Sequence, residues 1–559
     1  MQRNIQQLAA EQYDVLVIGG GITGACIAHD AALRGLSVAL VEKNDFGGCT
    51  SSASSKLLHG GIRYLPKAQF HKVRESAREQ AIFQHLAPHL TRWLPFVIPT
   101  DKSSLLKGKT ALKAAMLVYG LCCTGLSGLI HDSGKQPSPR TFLGVKELLG
   151  EIPMLSAIEG LTGAQVLLES HMHSSERMTL AFLKTAVKNG ACIANYLQVD
   201  QLLVEGRRVT GVQVTDGLTG DTVSIHARMV VNSAGPYTQA INETVPGLRL
   251  HHRLTGFSRG VHLVTRQLEP KYAMALTTKK KTEGFITRGG RHFFILPWRG
   301  RSLIGTTNVP LREKLDDIRV TKKDVDDFLA DINGALPSIR VTRDDVYYAF
   351  TGIYPIIARE IKPDTYQGTG EFQIVDHAEK DGIQGIITAL GAKFTTARNV
   401  ARQAVDLAAD KLDARGIDCR TVETQLLEGR IDDIEGFTAG CIERYSSLLP
   451  EATIVHLLRN YGSMIDRLIE LGKQQNMLTK ICSERETLEI EVDYGVRHEM
   501  AITLDDIMFR RTGLGTIGYP GDEAVARCAE LMGNILGWND GEKERQIAVV
   551  RRRYDSWQR

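Results

Sequence analysis

The sequence predicts an α/β fold in which a nucleotide-binding unit is followed by a mixed-sheet unit and a helical C-terminal unit. Near the start, an apolar strand over residues 13–18 leads into a glycine-rich turn, a helix and a second strand. Residues 196–232 and 260–307 alternate apolar and polar side chains between turns, a pattern that is typical of strands. From about Ile431 helical periodicity replaces this alternation, which predicts a separate helical unit over residues 431–559.

The glycine-rich turn reads Gly19-Gly20-Gly21-Ile22-Thr23-Gly24, and the second strand ends at Glu42. In this dinucleotide-binding pattern Gly19 permits the tight turn, Gly21 lets the backbone approach a pyrophosphate, and Gly24 lets the helix pack closely on the strand. The helix N-terminus offers N–H groups to the phosphates. Glu42, about 20 residues further on, can accept both hydroxyls of an adenosine ribose. The first unit is therefore predicted to be Rossmann-like.

Composition excludes several classes of protein. The 68 basic and 64 acidic residues leave a net charge of +4 in 559 residues, too small an excess to indicate nucleic-acid binding. The nine cysteines form no C-x-x-C pair, which excludes the usual thiolate spacing of zinc and iron–sulfur sites, and no metal site is expected. Scattered cysteines and the lack of an apolar stretch in residues 1–12 favour a cytoplasmic protein without a secretory signal.

Two segments are candidates for membrane contact. Residues 111–130 contain a single charged side chain, Lys113, and approach the ~20 residues of a spanning helix. Because this segment holds three glycines, we expect a buried helix that runs into a turn, and the alternative is a surface that dips into a membrane. The basic run Arg551-Arg552-Arg553 is expected to be a solvated helix end, with contact to an anionic membrane or a partner as the alternative.

The pattern so far fits NAD and FAD equally, and three further motifs favour FAD. Residues 230–236 form an apolar strand that breaks into a small-residue turn, which FAD enzymes use to pass close to the nucleotide. Residues 385–396 predict a strand, a glycine turn and a helix starting near residue 394, whose N-terminus can stabilise the negative charge of a reduced flavin. The run Thr50-Ser51-Ser52-Ala53-Ser54-Ser55-Lys56 offers hydroxyls and a cation to ribityl and phosphate oxygens.

The run Ser54-Ser55-Lys56-Leu57-Leu58-His59-Gly60-Gly61-Ile62-Arg63-Tyr64-Leu65 resembles the signature of FAD-dependent glycerol-3-phosphate dehydrogenases. The similarity extends over nearly the whole chain. Further matching strings are Pro297-Trp298, Gly305-Thr306-Thr307, Gly391 to Thr396, Tyr494 to Ala501, Leu504-Asp505-Asp506 and Phe509 to Thr512. The resemblance implies a glutathione-reductase-type, Rossmann-like FAD-binding domain with a mixed-sheet substrate domain and an α-helical C-terminal domain.

The resemblance also implies how the chain is divided. Residues 13–430 would form the FAD-dependent oxidoreductase region, and residues 431–559 the helical C-terminal domain. The FAD-binding segments would be about 13–75, 150–250 and 345–410, and the substrate domain about 76–149 and 251–344.

Individual residues receive roles from the same resemblance. Arg63 and Tyr64 would line the substrate pocket, and His262 would accept the hydroxyl proton. Lys393 would either lie beside the reacting oxygen or only polarise the flavin. The residues expected to contact FAD are Gly19, Gly21, Gly24, Glu42, Thr50, Ser51, Ser52, Lys56, Leu58, His59, Gly60, Ala234, Gly235, Gly391, Lys393, Phe394 and Thr395.

The chain departs from the family pattern where the substrate phosphate would be bound. The family carries an arginine in a Gly-x-Arg-Pro turn, and Tyr354 stands in that position here. A second arginine is expected in the segment before Gly391, yet none lies between Glu360 and Gly391. Losing two guanidinium contacts would cost several kcal/mol at ~1.5–3 kcal/mol each. Candidate replacements are Arg359, Arg259, Arg288 and Arg291.

The function that the resemblance favours is oxidation of sn-glycerol 3-phosphate to dihydroxyacetone phosphate, a step of glycerol metabolism. The alternative is the same flavin chemistry on another polyol phosphate or a hydroxy acid, because two phosphate-binding arginines are absent. A function of another class is a non-catalytic flavoprotein subunit, against which the presence of His262, Arg63 and Lys393 argues. Electrons would pass to a quinone or a redox partner protein, with peripheral contact at the inner face of the cytoplasmic membrane. A homo-oligomer is compatible with the sequence.

Overall fold

The structure, a computed structural model, describes residues 1–102, 109–138, 141–250, 256–278, 292–311, 313–356, 371–391, 393–414 and 416–558. These residues form two β-sheets, called sheet A and sheet B, and a set of C-terminal helices. The predicted combination of a Rossmann-like unit, a mixed sheet and a helical C-terminal unit is confirmed.

The strands and helices are numbered along the chain. The described strands are β1 (Gln12–Ile18), β2 (Val38–Val41), β3 (Leu57–Leu58), β4 (Thr91–Asp101), β5 (Thr141–Leu143), β6 (Leu161–Met172), β7 (Cys192–Ala194), β8 (Leu197–Glu205), β9 (Arg208–Asp216), β10 (Thr222–Asn232), β11 (Gly256–Thr265), β12 (Ala273–Thr277), β13 (His292–Trp298), β14 (Arg301–Gly305), β15 (Val309–Pro310), β16 (Val346–Ile356), β17 (Gln373–Asp376) and β18 (Ile386–Leu390). The described α-helices are α1 (Ile5–Ala10), α2 (Ile22–Leu33), α3 (Phe70–Leu86), α4 (Lys109–Cys122), α5 (Val145–Glu151), α6 (Ser175–Lys188), α7 (Thr238–Asn242), α8 (Lys322–Ala335), α9 (His377–Lys380), α10 (Ala397–Lys411), α11 (Ile434–Tyr445), α12 (Glu451–Tyr461), α13 (Ile465–Gln474), α14 (Glu489–Glu499), α15 (Asp522–Leu536) and α16 (Asp540–Gln558).

Sheet A carries the nucleotide-binding unit, in the strand order β17-β18-β10-β1-β2-β7, with β9 paired to β10 and β8 paired to β9. Its centre is parallel, because β1 pairs in parallel with both β2 and β10. Val15 and Val17 of β1 pack against α2, α6 and α10, whereas Leu16 and Ile18 pack on the opposite face. A strand covered on both faces needs apolar side chains at every position, which explains the continuous apolar run in the sequence.

Sheet B has the order β15-β11-β14-β13-β12-β4-β6-β3, with β16 paired to β11 and β5 to β6. The sheet is mixed, since β12 runs parallel to β4 while β11 runs antiparallel to both β14 and β16. Strands β6 and β16 lie in sheet B, although their residues fall within segments that were expected to build the FAD-binding domain. The two sheets therefore alternate along the chain more finely than the expected segments, and the domain boundaries stay a prediction.

The C-terminal helices are joined to the nucleotide-binding unit by a buried ion cluster, defined as Asp45, Arg510 and Arg511. Arg511 donates from Nη1 and Nη2 to the two carboxylate oxygens of Asp45 at 2.7 Å each, and Arg510 Nε donates to Asp45 Oδ2 at 2.6 Å. Burial alone would raise the pKa of Asp45, but Arg511 and Arg510 hold it at about 2. Both arginines belong to a matching C-terminal string, so that string has a structural role.

Helix α4 covers the segment whose sequence suggested a buried helix or a membrane surface. Leu112, Met116 and Tyr119 are buried against sheet B, but Leu117 and Leu121 are 71% and 68% exposed. The expected buried helix is therefore buried on one face only, and the expectation is wrong for the face that carries Leu117 and Leu121. In the described part of the chain, no helix is both long and apolar enough to cross a membrane.

Candidate functional site

The candidate site is a cleft of about 430 Å³ at the ends of the parallel strands of sheet A. The turn after β1, the loop 47–54, the turn after β10 and the loop after β18 all line it. The carboxyl ends of parallel strands lie at one edge of a sheet, and this edge is where α/β proteins bind ligands. The fold thus brings together the three motifs that predicted a nucleotide site.

The glycine turn after β1 has no room for a side chain at Gly19 or Gly24. Gly19 has φ +100°, and a Cβ there would lie 2.9 Å from Ser233 O. A Cβ on Gly24 would lie 1.9 Å from Gly19 O, so the first turn of α2 packs directly on the end of β1. For Gly21 the nearest atom is Ser51 Oγ at 3.2 Å, which leaves this position open toward the cleft.

Two polar groups mark where the two ends of a nucleotide would bind. Ser51 Oγ accepts a hydrogen bond from Ile22 N at 2.9 Å, which places this hydroxyl at the N-terminus of α2, where phosphates bind. Glu42 accepts from Gly20 N at 2.6 Å and from Asn44 N at 2.9 Å. A carboxylate has about four acceptor positions, so Glu42 keeps capacity for ribose hydroxyls. Burial raises the pKa of Glu42 above its usual value.

The loop after β18 contacts the glycine turn. A Cβ on Gly391 would lie 2.4 Å from Thr23 Oγ1 of α2, so only a glycine allows this approach. Thr395 Oγ1 accepts a hydrogen bond from His59 N at 3.1 Å, which ties the loop to the signature run. Helix α10 begins at Ala397, three residues later than expected, because Ala397 N donates to Phe394 O in a turn that precedes it.

The serine-rich run divides into two parts. Thr50 and Ser51 line the cleft, and Thr50 Oγ1 donates to Ile353 O at 2.8 Å. Lys56 instead donates to Ser52 O, Ser175 Oγ and Glu176 Oε1 at 2.5–2.9 Å and is 1% exposed. All three ammonium protons of Lys56 are therefore used within the protein, so this lysine holds the run in place.

Three cations surround the ring of Tyr64; we call Arg63, Lys72, Lys393 and Tyr64 the Tyr64 cluster. Lys393 Nζ lies 4.5 Å, Arg63 Cζ 5.0 Å and Lys72 Nζ 5.8 Å from the ring centroid. Arg63 Nη2 also donates to the Tyr64 hydroxyl at 2.8 Å. Burial, followed by the charge of Arg63, lowers the pKa of Lys393 to about 8. Since Lys393 and the adjacent Phe394 line the cleft, the cluster adjoins the nucleotide site.

His262 lies in β11 beside the signature run. Its Nε2 is 2.8 Å from Ser55 Oγ, and its ring stacks on Phe350 at 5.0 Å between centroids. Burial, followed by the charge of Lys56, lowers the pKa of His262 to about 3. The imidazole is therefore neutral at pH 7, but it is a weaker base than its ordinary pKa suggested. His59 is a second neutral imidazole, with a pKa of about 3 set by burial and then by Arg63 and Lys393.

Comparisons with known proteins identify the family. Residues 14–407 match the family model "FAD dependent oxidoreductase", and residues 419–543 match "C-terminal domain of alpha-glycerophosphate oxidase". The glycerol-3-phosphate dehydrogenase of Synechocystis is 30% identical, over 98% of this chain and 97% of the relative's length. The human mitochondrial enzyme of that name is 32% identical over 97% of this chain and 73% of its own. The chain belongs to the FAD-dependent glycerol-3-phosphate dehydrogenase family.

A solved structure of a family member has the same architecture. The glycerol-3-phosphate dehydrogenase from Bacillus halodurans, complexed with FAD, superimposes with a TM-score of 0.76 at 27% identity. The match covers 99% of this chain and 96% of the other chain. The cofactor of this family is FAD, and the open backbone at Gly21, the hydroxyl of Ser51 and the spare acceptor positions of Glu42 fit it.

The expected cofactor contacts of the family remain predictions at the level of single residues. Gly19, Gly21, Glu42, Thr50 and Ser51 line the cleft, as do Ala234, Gly235, Gly391, Lys393 and Phe394. Leu58 is fully buried in β3, and Gly60 N donates to Glu169 Oε2 at 2.7 Å. Both residues therefore make their contacts to other parts of the protein and do not line the cleft. Ser52 Oγ donates to Cys49 O at 2.9 Å and thereby closes the serine-rich loop on itself.

The structure places two of the residues that were considered for the substrate phosphate. Tyr354 lies in β16 and lines the cleft. Arg259, in the neighbouring β11, donates to both carboxylate oxygens of Asp324 at 2.9 and 2.7 Å, so its guanidinium is already engaged. Arg359, Arg288 and Arg291 lie outside the described residues.

Sequence reasoning missed Lys72, which joins the Tyr64 cluster from α3. Its ammonium pairs with Glu371 at 2.5 Å. The residue stands in an amphipathic helix among other charged side chains, so no local motif distinguishes it. Only the packing of α3 beside the signature run brings it to Tyr64.

Proposed function

We propose that this protein oxidises sn-glycerol 3-phosphate to dihydroxyacetone phosphate and passes the electrons to a quinone. The observation that carries the proposed oxidation of an anionic alcohol is the Tyr64 cluster, whose cations adjoin the nucleotide cleft. Relatives that match nearly the whole chain bear the name glycerol-3-phosphate dehydrogenase, which supports the same substrate here. Bound FAD supplies the two-electron acceptor that alcohol oxidation requires.

The side chains of the Tyr64 cluster and two nearby histidines would have separate tasks in the reaction. Lys393 and Arg63 are cations that can hold the oxygens of an anionic substrate beside the cleft. Oxidation of the alcohol releases the hydroxyl proton, and a neutral imidazole can accept it. Both His262 and His59 are neutral at pH 7, and His59 lies within electrostatic reach of Arg63 and Lys393.

The phosphate position favours a second candidate substrate. Tyr354 offers a single neutral hydrogen bond where the family has a guanidinium, and Arg259 is committed to Asp324. An acid or polyol with a smaller or differently placed anion would need fewer guanidinium contacts. The Tyr64 cluster serves either substrate equally, because its cations do not distinguish a phosphate from a carboxylate.

A substrate panel separates the two candidates. Glycerol 3-phosphate, longer polyol phosphates, glycerol and 2-hydroxy acids are compared by kcat/KM with an artificial electron acceptor. A preference for glycerol 3-phosphate that Tyr354→Arg does not improve supports the proposed substrate. A preference for another compound, with glycerol 3-phosphate improved by Tyr354→Arg, supports the alternative. Tyr354→Phe is the matched control, because it changes the hydroxyl without adding charge.

Peripheral membrane contact is part of the proposal. Leu117 and Leu121 of α4 are largely exposed, and Phe70 at the start of the adjacent α3 is 48% exposed. Exposed large apolar side chains on one helix face favour insertion at a membrane surface, where a quinone is reached. We expect wild-type protein to sediment with vesicles, and Leu117→Ser/Leu121→Ser to remain in solution. Equal sedimentation of both would place the membrane contact elsewhere.

A further inference from the structure

A second cavity, of about 540 Å³, lies between sheet B and the C-terminal helices. We call it the arginine cleft after Arg92, Arg299 and Arg459, which line it. Arg92 stands at the start of β4, Arg299 in the turn after β13, and Arg459 near the end of α12. In the described part of the chain it shares no lining residue with the nucleotide cleft. It is therefore a separate site.

Within the described part of the chain, the three guanidinium groups have no acidic partner. Arg92 Nη2 donates to Pro297 O at 3.0 Å, and Arg299 Nη1 lies 3.4 Å from both Gly513 O and Thr516 Oγ1. Among the residues described, none supplies a carboxylate to any of the three arginines within ion-pair distance. The acid that lines the cleft, Glu435, is exposed to solvent.

The arginines also lie close enough to affect one another. Burial lowers the pKa of Arg92, and the charge of Arg459 lowers it further. Burial lowers the pKa of Arg299 to about 10 despite the nearby Glu176. Like charges that are partly shielded from water repel each other, and an anion between them would remove that repulsion.

Three histidines complete the wall, and two of them, His171 and His89, are buried. His171 and His89 are 1% and 4% exposed, and neither ring nitrogen of either has a hydrogen-bond partner among the described residues. The same holds for Nε2 of His173. Burial lowers the pKa of all three well below the usual value, so each is a neutral imidazole that can donate one hydrogen bond. Buried polar groups in proteins are normally bonded, so these rings offer hydrogen bonds to a ligand in the cleft.

We propose that the arginine cleft binds a small phosphorylated anion. Three guanidinium groups arrive from three separate elements, so they suit a ligand whose oxygens point in several directions. A tetrahedral phosphate has this shape and carries two charges, whereas a carboxylate is planar and carries one. The ligand would bridge sheet B and α12, and it would stabilise their interface because it binds the folded state only.

The first test is calorimetric titration of FAD-loaded protein with inorganic pyrophosphate at constant ionic strength. We expect Arg459→Gln to weaken binding at least ~10-fold, a typical loss for one charged hydrogen-bonding group. The matched control is Arg467→Gln, which removes an exposed arginine of α13 outside the cleft and should bind like wild type. Arg92→Gln is a second variant of the same kind and should act as Arg459→Gln does.

Further measurements separate this proposal from the proposed function. In Lys393→Ala, pyrophosphate binding at the arginine cleft should persist although oxidation fails. In Arg459→Gln, the KM for glycerol 3-phosphate should be unchanged. A crystal of the wild-type protein soaked in tungstate should hold the ion among Arg92, Arg299 and Arg459, and this result needs no variant.

Several outcomes would overturn the proposal. The first is pyrophosphate binding that is as tight in Arg459→Gln and Arg92→Gln as in Arg467→Gln. The second is loss of pyrophosphate binding in Lys393→Ala. The third is a tungstate soak in which the ion occupies only the Tyr64 cluster. Citrate that binds as tightly as pyrophosphate would show that the cleft does not select phosphate.

Discussion

The buried ion cluster and the Tyr64 cluster are both rich in cations, and each takes two of its charged residues from runs that resemble the family: Arg510 and Arg511 in the first, Arg63 and Lys393 in the second. In the buried ion cluster, Asp45 bonds two arginines, and Asp505 and Asp506 bond Arg510 further. In the Tyr64 cluster, Lys393 has no ion pair within the described part of the chain. A matched set of buried charges joins two parts of a fold, whereas an excess of charge beside a cleft can hold an anionic ligand. Charge balance and burial, rather than the matching motif, distinguish a structural role from a functional one.

The largest effect is expected from breaking the buried ion cluster. Asp45→Ala leaves Arg511 buried without its carboxylate partner and removes one of the three carboxylates that bond Arg510. It should lower the free energy of unfolding by ~3–5 kcal/mol. Urea unfolding followed by circular dichroism measures this loss. Asp327→Ala, in an exposed pair with Lys323 on α8, is the control and should leave the unfolding midpoint unchanged. An unchanged midpoint in Asp45→Ala would mean that the cluster does not join the two units.

The next effect is expected in the Tyr64 cluster, on activity and not on stability. Lys393→Ala should slow anaerobic bleaching of the flavin by substrate at least ~100-fold, because a positioned cation is lost from the substrate site. The urea midpoint and the bound FAD should be retained. Arg63→Ala should behave in the same way. Bleaching at the wild-type rate in both variants would move the active site elsewhere.

The pH dependence of activity tests whether the charge of Lys393 in the Tyr64 cluster is needed for the reaction. With a pKa of about 8, Lys393 is charged below pH 8 and becomes neutral above it, so kcat/KM should fall as the pH rises through about 8. The charge of Arg63 contributes to this lowered pKa, so Arg63→Gln should move the fall to higher pH. Initial rates between pH 6 and 10 test both points. A profile that rises through pH 8 would assign Lys393 the role of a base.

The smallest effect is expected from Tyr64→Phe. This change removes the hydroxyl that accepts from Arg63 Nη2 at 2.8 Å but keeps the ring beneath the cations. One hydrogen bond is worth ~0.5–1.5 kcal/mol, so kcat/KM should fall by about fivefold. A loss as large as that in Lys393→Ala would show that the hydroxyl itself acts on the substrate.

Some expectations from the sequence were confirmed because their causes are local. The turn at Gly19, the apolar run of β1 and the position of Glu42 depend on sterics and spacing within one βαβ unit. Other expectations changed because distant elements decided them. Lys56 is engaged by Glu176 of α6, 120 residues away, and Arg259 by Asp324 of α8.

The sequence by itself therefore determined the nucleotide-binding fold, the family and the signature residues, because each of these depends on motifs whose residues are contiguous in the chain. Only the tertiary structure decided which charged side chains are matched and which are in excess. It brought Lys72 to Tyr64, exposed one face of α4, and gathered Arg92, Arg299 and Arg459 around one cavity. The physical reason is that charge compensation and burial depend on residues hundreds of positions apart, which no local pattern records.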